Sequence, residues 1–99
     1  MVTKGEARKY LGDCAPEQCF WVNNGPILKN LGELADSLQQ ISDETYNHHV
    51  SREKNDFSRW VNDVIGDQQL ANELLSSKNK ESAAKKLQKR LNSLKTKAG

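Results

Sequence analysis

Three groups of residues in this chain have types and spacing that could do chemistry. The first is Cys14, Cys19, His48 and His49, the right types for four tetrahedral zinc ligands. The spacing argues against it. C-x4-C is looser than the C-x2-C knuckle of a zinc site. Neighbouring histidines on a helix point about 100° apart, so both do not easily reach one ion. Cys19 also opens the apolar run Cys19-Phe20-Trp21-Val22, where a thiol packs like any small hydrophobe. The expectation is no metal, no cofactor and two reduced cysteines, since a reducing compartment disfavours the bridge. His49 should line the core edge beside Tyr46 and Val50, and His48 should be exposed.

The second group is acidic: Asp43, Glu44, Asp56, Asp63 and Asp67. A set of carboxylates could serve acid–base catalysis. Four of these five stand where helices start, and an acid there stabilises the positive helix end without any reaction. Gly25, Gly32 and Gly66 are isolated, so no loop cradles phosphate. Neither Ser58 nor Cys14 sits in a nucleophile motif. The acids are therefore expected to cap helices, and the protein to be non-enzymatic.

The third group is the basic set Lys85, Lys86, Lys89, Arg90, Lys95 and Lys97. The net charge of +2 conceals a division. From Lys78 onward, eight basic residues against one acid leave +7; before it, seven against twelve leave −5. A basic end on an acidic body seeks an anionic partner or the body itself. Lysines that neutralise phosphates would give salt-sensitive nucleic-acid binding with little base specificity. The six residues are thus expected to contact a protein partner or phosphates. No recognition-helix signature accompanies them.

The elements that must carry these groups are short and punctuated. Thr3-Lys4-Gly5-Glu6 has capping-box spacing ahead of Ala7, Tyr10 and Leu11, and Gly12 can end that helix. Phe20-Trp21 and Ile27-Leu28 flank the turn Asn23-Asn24-Gly25-Pro26, which predicts a small hairpin lying on the helices. Phe20 and Trp21 are both expected as a lid on the core. Asn30 with Glu33 forms another capping box, followed by the face Leu31, Leu34, Ala35, Leu38 and Ile41. Ser42 caps the next helix.

The central segment follows. Asn55 precedes Phe57, Trp60, Val61, Val64 and Ile65, the stripe of a helix with one buried face. Gly66 stands where a left-handed residue ends a helix, and Asp67 caps the next one, with Leu70, Ala71, Leu74 and Leu75. Ser77 or Asn79 caps the final helix. Its seam of Ala84, Leu87, Leu91 and Leu94 would pack on the body or pair with a second copy, making a homodimer.

The run C-F-W-V-N-N-G-P-I-L-K-N-L-G-E-L, then H-H-V, then K-N-D-F-S-R-W-V-N-D-V-I-G-D-Q-Q-L-A resembles a family of small domains of unknown function frequent in archaeal proteins. The likeness spans roughly Cys19 to Leu75, and N-D-F-x-x-W-V with the following G-D-x-x-L-A is its most specific part. The resemblance implies a mostly helical domain in a cytoplasmic setting and no activity.

At 99 residues and 35% hydrophobic content, the chain suits one modest core. No apolar run approaches the ~20 residues of a membrane span, and no charged-then-apolar leader is present. Together these point to the cytoplasm. The expected architecture is mainly α: a bundle of four to five short helices with an N-terminal β-hairpin over residues 1–77, and a basic C-terminal helix over 78–99. Phe57, Trp60, Val61, Leu34, Leu38 and Leu74 should form the core. The expected function is a non-enzymatic binding module for a protein partner, with nucleic acid as the competing ligand.

Overall fold

Each α-helix among the described residues begins at a short polar side chain that accepts a hydrogen bond from the first turn. The structure, a computed structural model, describes residues 2–99. Thr3 caps α1 (Lys4–Leu11) with the reciprocal bond from its own amide to Glu6. Asn30 caps α2 (Leu31–Gln40), Ser42 caps α3 (Asp43–His49) and Asn55 caps α4 (Asp56–Trp60). Asp67 caps α5 (Gln68–Leu75), and Asn79 caps α6 (Lys80–Ala98). Each such bond satisfies an amide that has no partner inside its helix, worth about 1 kcal/mol. The box expected at Asn30 is altered: Glu33 takes the amide of Lys29, not that of Asn30.

Between α1 and α2 the chain makes a one-turn 3-10 helix, Pro16–Gln18, and then the hairpin of β1 (Phe20–Trp21) and β2 (Ile27–Leu28). Phe20 pairs with Leu28 and Trp21 with Ile27, antiparallel. Asn24 takes the positive φ of the turn, at 56°. Gly25 is required for room: a Cβ there would stand 2.9 Å from Val22 Cγ1.

The expected helix from Asp56 to Ile65 is continuous but not uniform. After Trp60 it widens into a π-turn, Val61–Ile65. Gly66 closes it with φ +90°, its amide donating to Val61 O at 2.7 Å. The hydrophobic spacing gives no sign of the widening.

The core is one cluster. The rings of Phe20 and Phe57 stack at 5.0 Å, Tyr46 stacks on Phe57 at 5.7 Å, and Trp60 meets Phe20 edge-on at 5.9 Å. Trp60 is buried, and its Nε1 donates to Gln18 O at 2.8 Å, which fastens the 3-10 turn to α4. All six expected core residues are buried. Leu75 is not: it ends α5 on the solvent side.

The fold is mainly α with a small N-terminal hairpin, and the basic helix belongs to it. α6 packs against α1, α2 and α5, adding Ala83, Leu87, Leu91 and Leu94 to the core. The radius of gyration is 12.6 Å, the ~13 Å of a compact domain this long, so no rod projects from the globule. The division at Ser77 therefore separates no independent body from a tail. Leu87, Leu91 and Leu94 are almost fully buried within the same chain, so the homodimer seam expected there is already occupied. The reason is the apolar face of α1: Ala7 and its neighbours need a partner helix, and α6 supplies it. Among the described residues, no helix is long and apolar enough to cross a membrane.

Candidate interaction surface

A strand of two residues must send its side chains to opposite faces. Phe20 turns inward and is buried, as expected of a lid. Trp21 turns outward and is 72% exposed, which corrects the expectation that both would cover the core. Its cross-strand partner Ile27 is 51% exposed, so the indole and the isoleucine lie side by side on the solvent face of the hairpin. The period-2 rule, applied to neighbours, carries the signal that sequence reasoning passed over.

The hairpin is anchored from below by His49. Its Nε2 accepts from the amide of Asn23 at 3.0 Å, and its Nδ1 lies 3.0 Å from Asp56 Oδ2. Only the tautomer with the proton on Nδ1 satisfies both bonds. The ring also packs against Phe20 and Phe57, at 5.0 and 5.2 Å. His49 is buried at the core edge and His48 is exposed, as the helix period requires. The His49–Asp56 pair has the look of a catalytic dyad. Yet the nitrogen that would take a proton from a nucleophile already accepts the Asn23 amide.

Asp56 also accepts from Lys54 Nζ at 3.2 Å. Partial burial pushes its carboxyl pKa up, but the hydrogen bonds from His49 and Lys54 outweigh this and hold it below the usual value. Asp43 and Glu44 lie in the first turn of α3, and Asp63 is exposed in the π-turn beside Arg59. Among the described residues, no three His, Cys, Asp or Glu side chains converge as they would around a metal. An open groove of about 1100 Å³ runs between α3, α4 and the start of α6. Amides such as Asn47, Asn62 and Asn72 line it, and acids and bases are mixed along it.

The six basic residues separate in the structure. Arg90 is not on a contact surface: it is 9% exposed and grips Asp67 through two bonds, Nε to Oδ2 at 2.8 Å and Nη2 to Oδ1 at 2.9 Å. Asp67 is 1% exposed and still caps α5 through the Leu70 amide. A buried guanidinium needs a buried carboxylate, and Asp67 is the one that the fold brings to it. Those hydrogen bonds, outweighing burial, hold the Arg90 pKa above its ordinary value. Lys86 is half-buried, donating to Glu73 O and Ser76 Oγ.

Lys85, Lys89, Lys95 and Lys97 remain exposed. They form no single stripe. Lys85 and Lys89 share a face, whereas Lys95 and Lys97 stand about 200° apart around the helix and flank it. Lys80, outside the expected set, folds back onto Ile41 O at 2.7 Å and lies 3.8 Å from Asp43.

Comparison of the chain with known protein families, with characterised proteins and with solved structures finds no match.

Proposed function

We propose that this protein is a small non-enzymatic module that binds a protein partner, with Trp21 and Ile27 at the centre of the contact. One observation carries the reading: the fold leaves its largest exposed aromatic beside an exposed branched aliphatic, on a face that contributes nothing to the core. Tryptophan is the residue type most enriched where a few side chains carry an interface. An anchored hairpin presents it at little entropic cost, because the Asn23–His49 bond already orders the turn. The four free lysines of α6 would add long-range attraction for an acidic partner, acting on the rate of encounter more than on affinity.

The residues of the N-D-F-x-x-W-V and G-D-x-x-L-A segments support the non-enzymatic reading. Asn55 and Asp67 cap helices, Phe57, Trp60, Val61, Leu70 and Ala71 are buried, and Gly66 takes the left-handed turn. Each has a structural task. A cytoplasmic, archaeal setting belongs to this proposal on the strength of the resemblance of those segments alone.

The test is a pair of variants, Trp21→Ser and Ile27→Ser, used as bait beside the unaltered chain, with and without nuclease. A partner retained by the unaltered chain after nuclease, and lost with either variant while melting is unchanged, is the expected result. Equal capture by all three removes the hairpin from the contact. The second reading is weak nucleic-acid binding through Lys85, Lys89, Lys95 and Lys97, favoured by their exposure and by the absence of any ion pair to them among the described residues. Gel-shift titration at two salt concentrations decides it, since phosphate contacts weaken steeply with salt.

A further inference from the structure

We propose that Cys14 and Cys19 are a reversible dithiol site, closing to an intramolecular disulfide by exchange with small-molecule disulfides. The inference stands apart from the partner reading, because its evidence lies in the segment before the hairpin. The two sulfurs lie 3.8 Å apart. A disulfide needs about 2.05 Å, so closure asks the sulfurs to approach by about 1.8 Å. Chain separation does not account for this closeness alone. The Pro16–Gln18 turn folds the intervening residues back, with the Gln18 amide bonded to Ala15 O at 2.9 Å. The Cys14 amide donates to Lys29 O at 2.8 Å, which holds that end against the start of α2.

Both thiols are half-buried, open enough for a small disulfide to reach them. Neither is used by the interaction surface. No third ligand type stands with them among the described residues, which leaves two-electron sulfur chemistry as what the pair offers.

The order of attack follows from the local bonding. The Cys14 thiol donates to Cys19 Sγ. Burial, and then that hydrogen bond, push the Cys14 pKa up to about 11. Because the Cys14 S–H points at Cys19 Sγ, it stabilises negative charge there, and Cys19 is the first nucleophile. Its thiolate attacks one sulfur of a disulfide RSSR, forming a mixed disulfide and releasing RS⁻. Cys14 then gives its proton to solvent and attacks Cys19 Sγ, releasing the second RS⁻. Two thiols lose two electrons and two protons, and RSSR becomes two RSH.

The bridge would brace the segment whose Gln18 carbonyl holds Trp60 and whose end leads into β1. It therefore favours the folded state. Because bridging and folding are linked, the folded chain should be half-bridged at an oxidised-to-reduced ratio about tenfold lower than the same chain in urea. Bridging should also raise Tm by about 5–10 °C.

The experiment equilibrates the full chain with mixtures of oxidised and reduced glutathione, quenches with acid, alkylates and weighs the products. The expected species is lighter than the reduced chain by two hydrogens, takes no alkyl group and reverts with dithiothreitol. Cys14→Ser and Cys19→Ser should each lose it, and Cys14→Ser should still collect a mixed disulfide on Cys19. Two alkylatable thiols at every ratio, covalent dimers in place of the bridge, or equal ratios in water and urea would each overturn the proposal.

Discussion

At the scale of single residues, partners decide roles that residue type alone leaves open. Arg90 and Lys89 are neighbours of the same charge sign, and one is a structural cation while the other faces water. Arg90→Ala should cost about 3–5 kcal/mol in urea denaturation, because Asp67 is then left charged and buried. Lys89→Ala should cost less than about 0.5 kcal/mol, the usual limit for an exposed position without special contacts. A similar loss from both would mean that the Arg90–Asp67 pair does not hold the helices.

Asp56 gives the pH dependence. Its folded pKa is depressed below the ordinary carboxylate value, about 3.9, that the unfolded chain keeps. The unfolded state therefore binds the proton more readily, and the stabilisation is complete above the unfolded pKa and lost as pH falls through the folded one. Stability should decline below about pH 4, and Asp56→Asn should flatten that limb of a stability–pH profile.

At the scale of elements, caps and the glycine stop are local, whereas the widened turn is not. Asn55, Gly66 and Asp67 were legible because each satisfies or terminates backbone bonds within a few residues of itself. Gly66→Ala should cost about 1–2 kcal/mol in thermal melting, from its φ of +90° and not from crowding. The added Cβ would meet Tyr10 Cε1 at 3.8 Å, an ordinary contact. Trp60→Ala should cost about 3–5 kcal/mol, the usual result of emptying a large buried aromatic site. A loss near that of a surface change would contradict the stacking around Phe20 and Phe57. The π-turn at Val61–Ile65 had no such local signature, since the residues satisfy an α-helical stripe equally well.

At the scale of the whole molecule, the placement of α6 matters most. A chain ending at Ser77 loses Ala83, Leu87, Leu91 and Leu94 from the core and uncovers α1 and α2. It should lose its cooperative melting transition in circular dichroism, so truncation cannot be used to ask what the lysines bind. Charge reversal at Lys85 and Lys89 can, because those side chains are exposed and the fold does not depend on them.

The sequence by itself determined the helix starts, the stop at Gly66, the hairpin turn and the identity of the central core residues. Those features follow from bonds and periodicities that close within a few positions of the chain. Only the tertiary structure decided that Arg90 meets Asp67, that His49 holds the Asn23 amide, that the leucines of α6 face inward and that Trp21 faces out. These are meetings between segments distant in sequence, or choices of which face is covered. A face is covered only when another element arrives to bury it, and no local pattern states which element that will be.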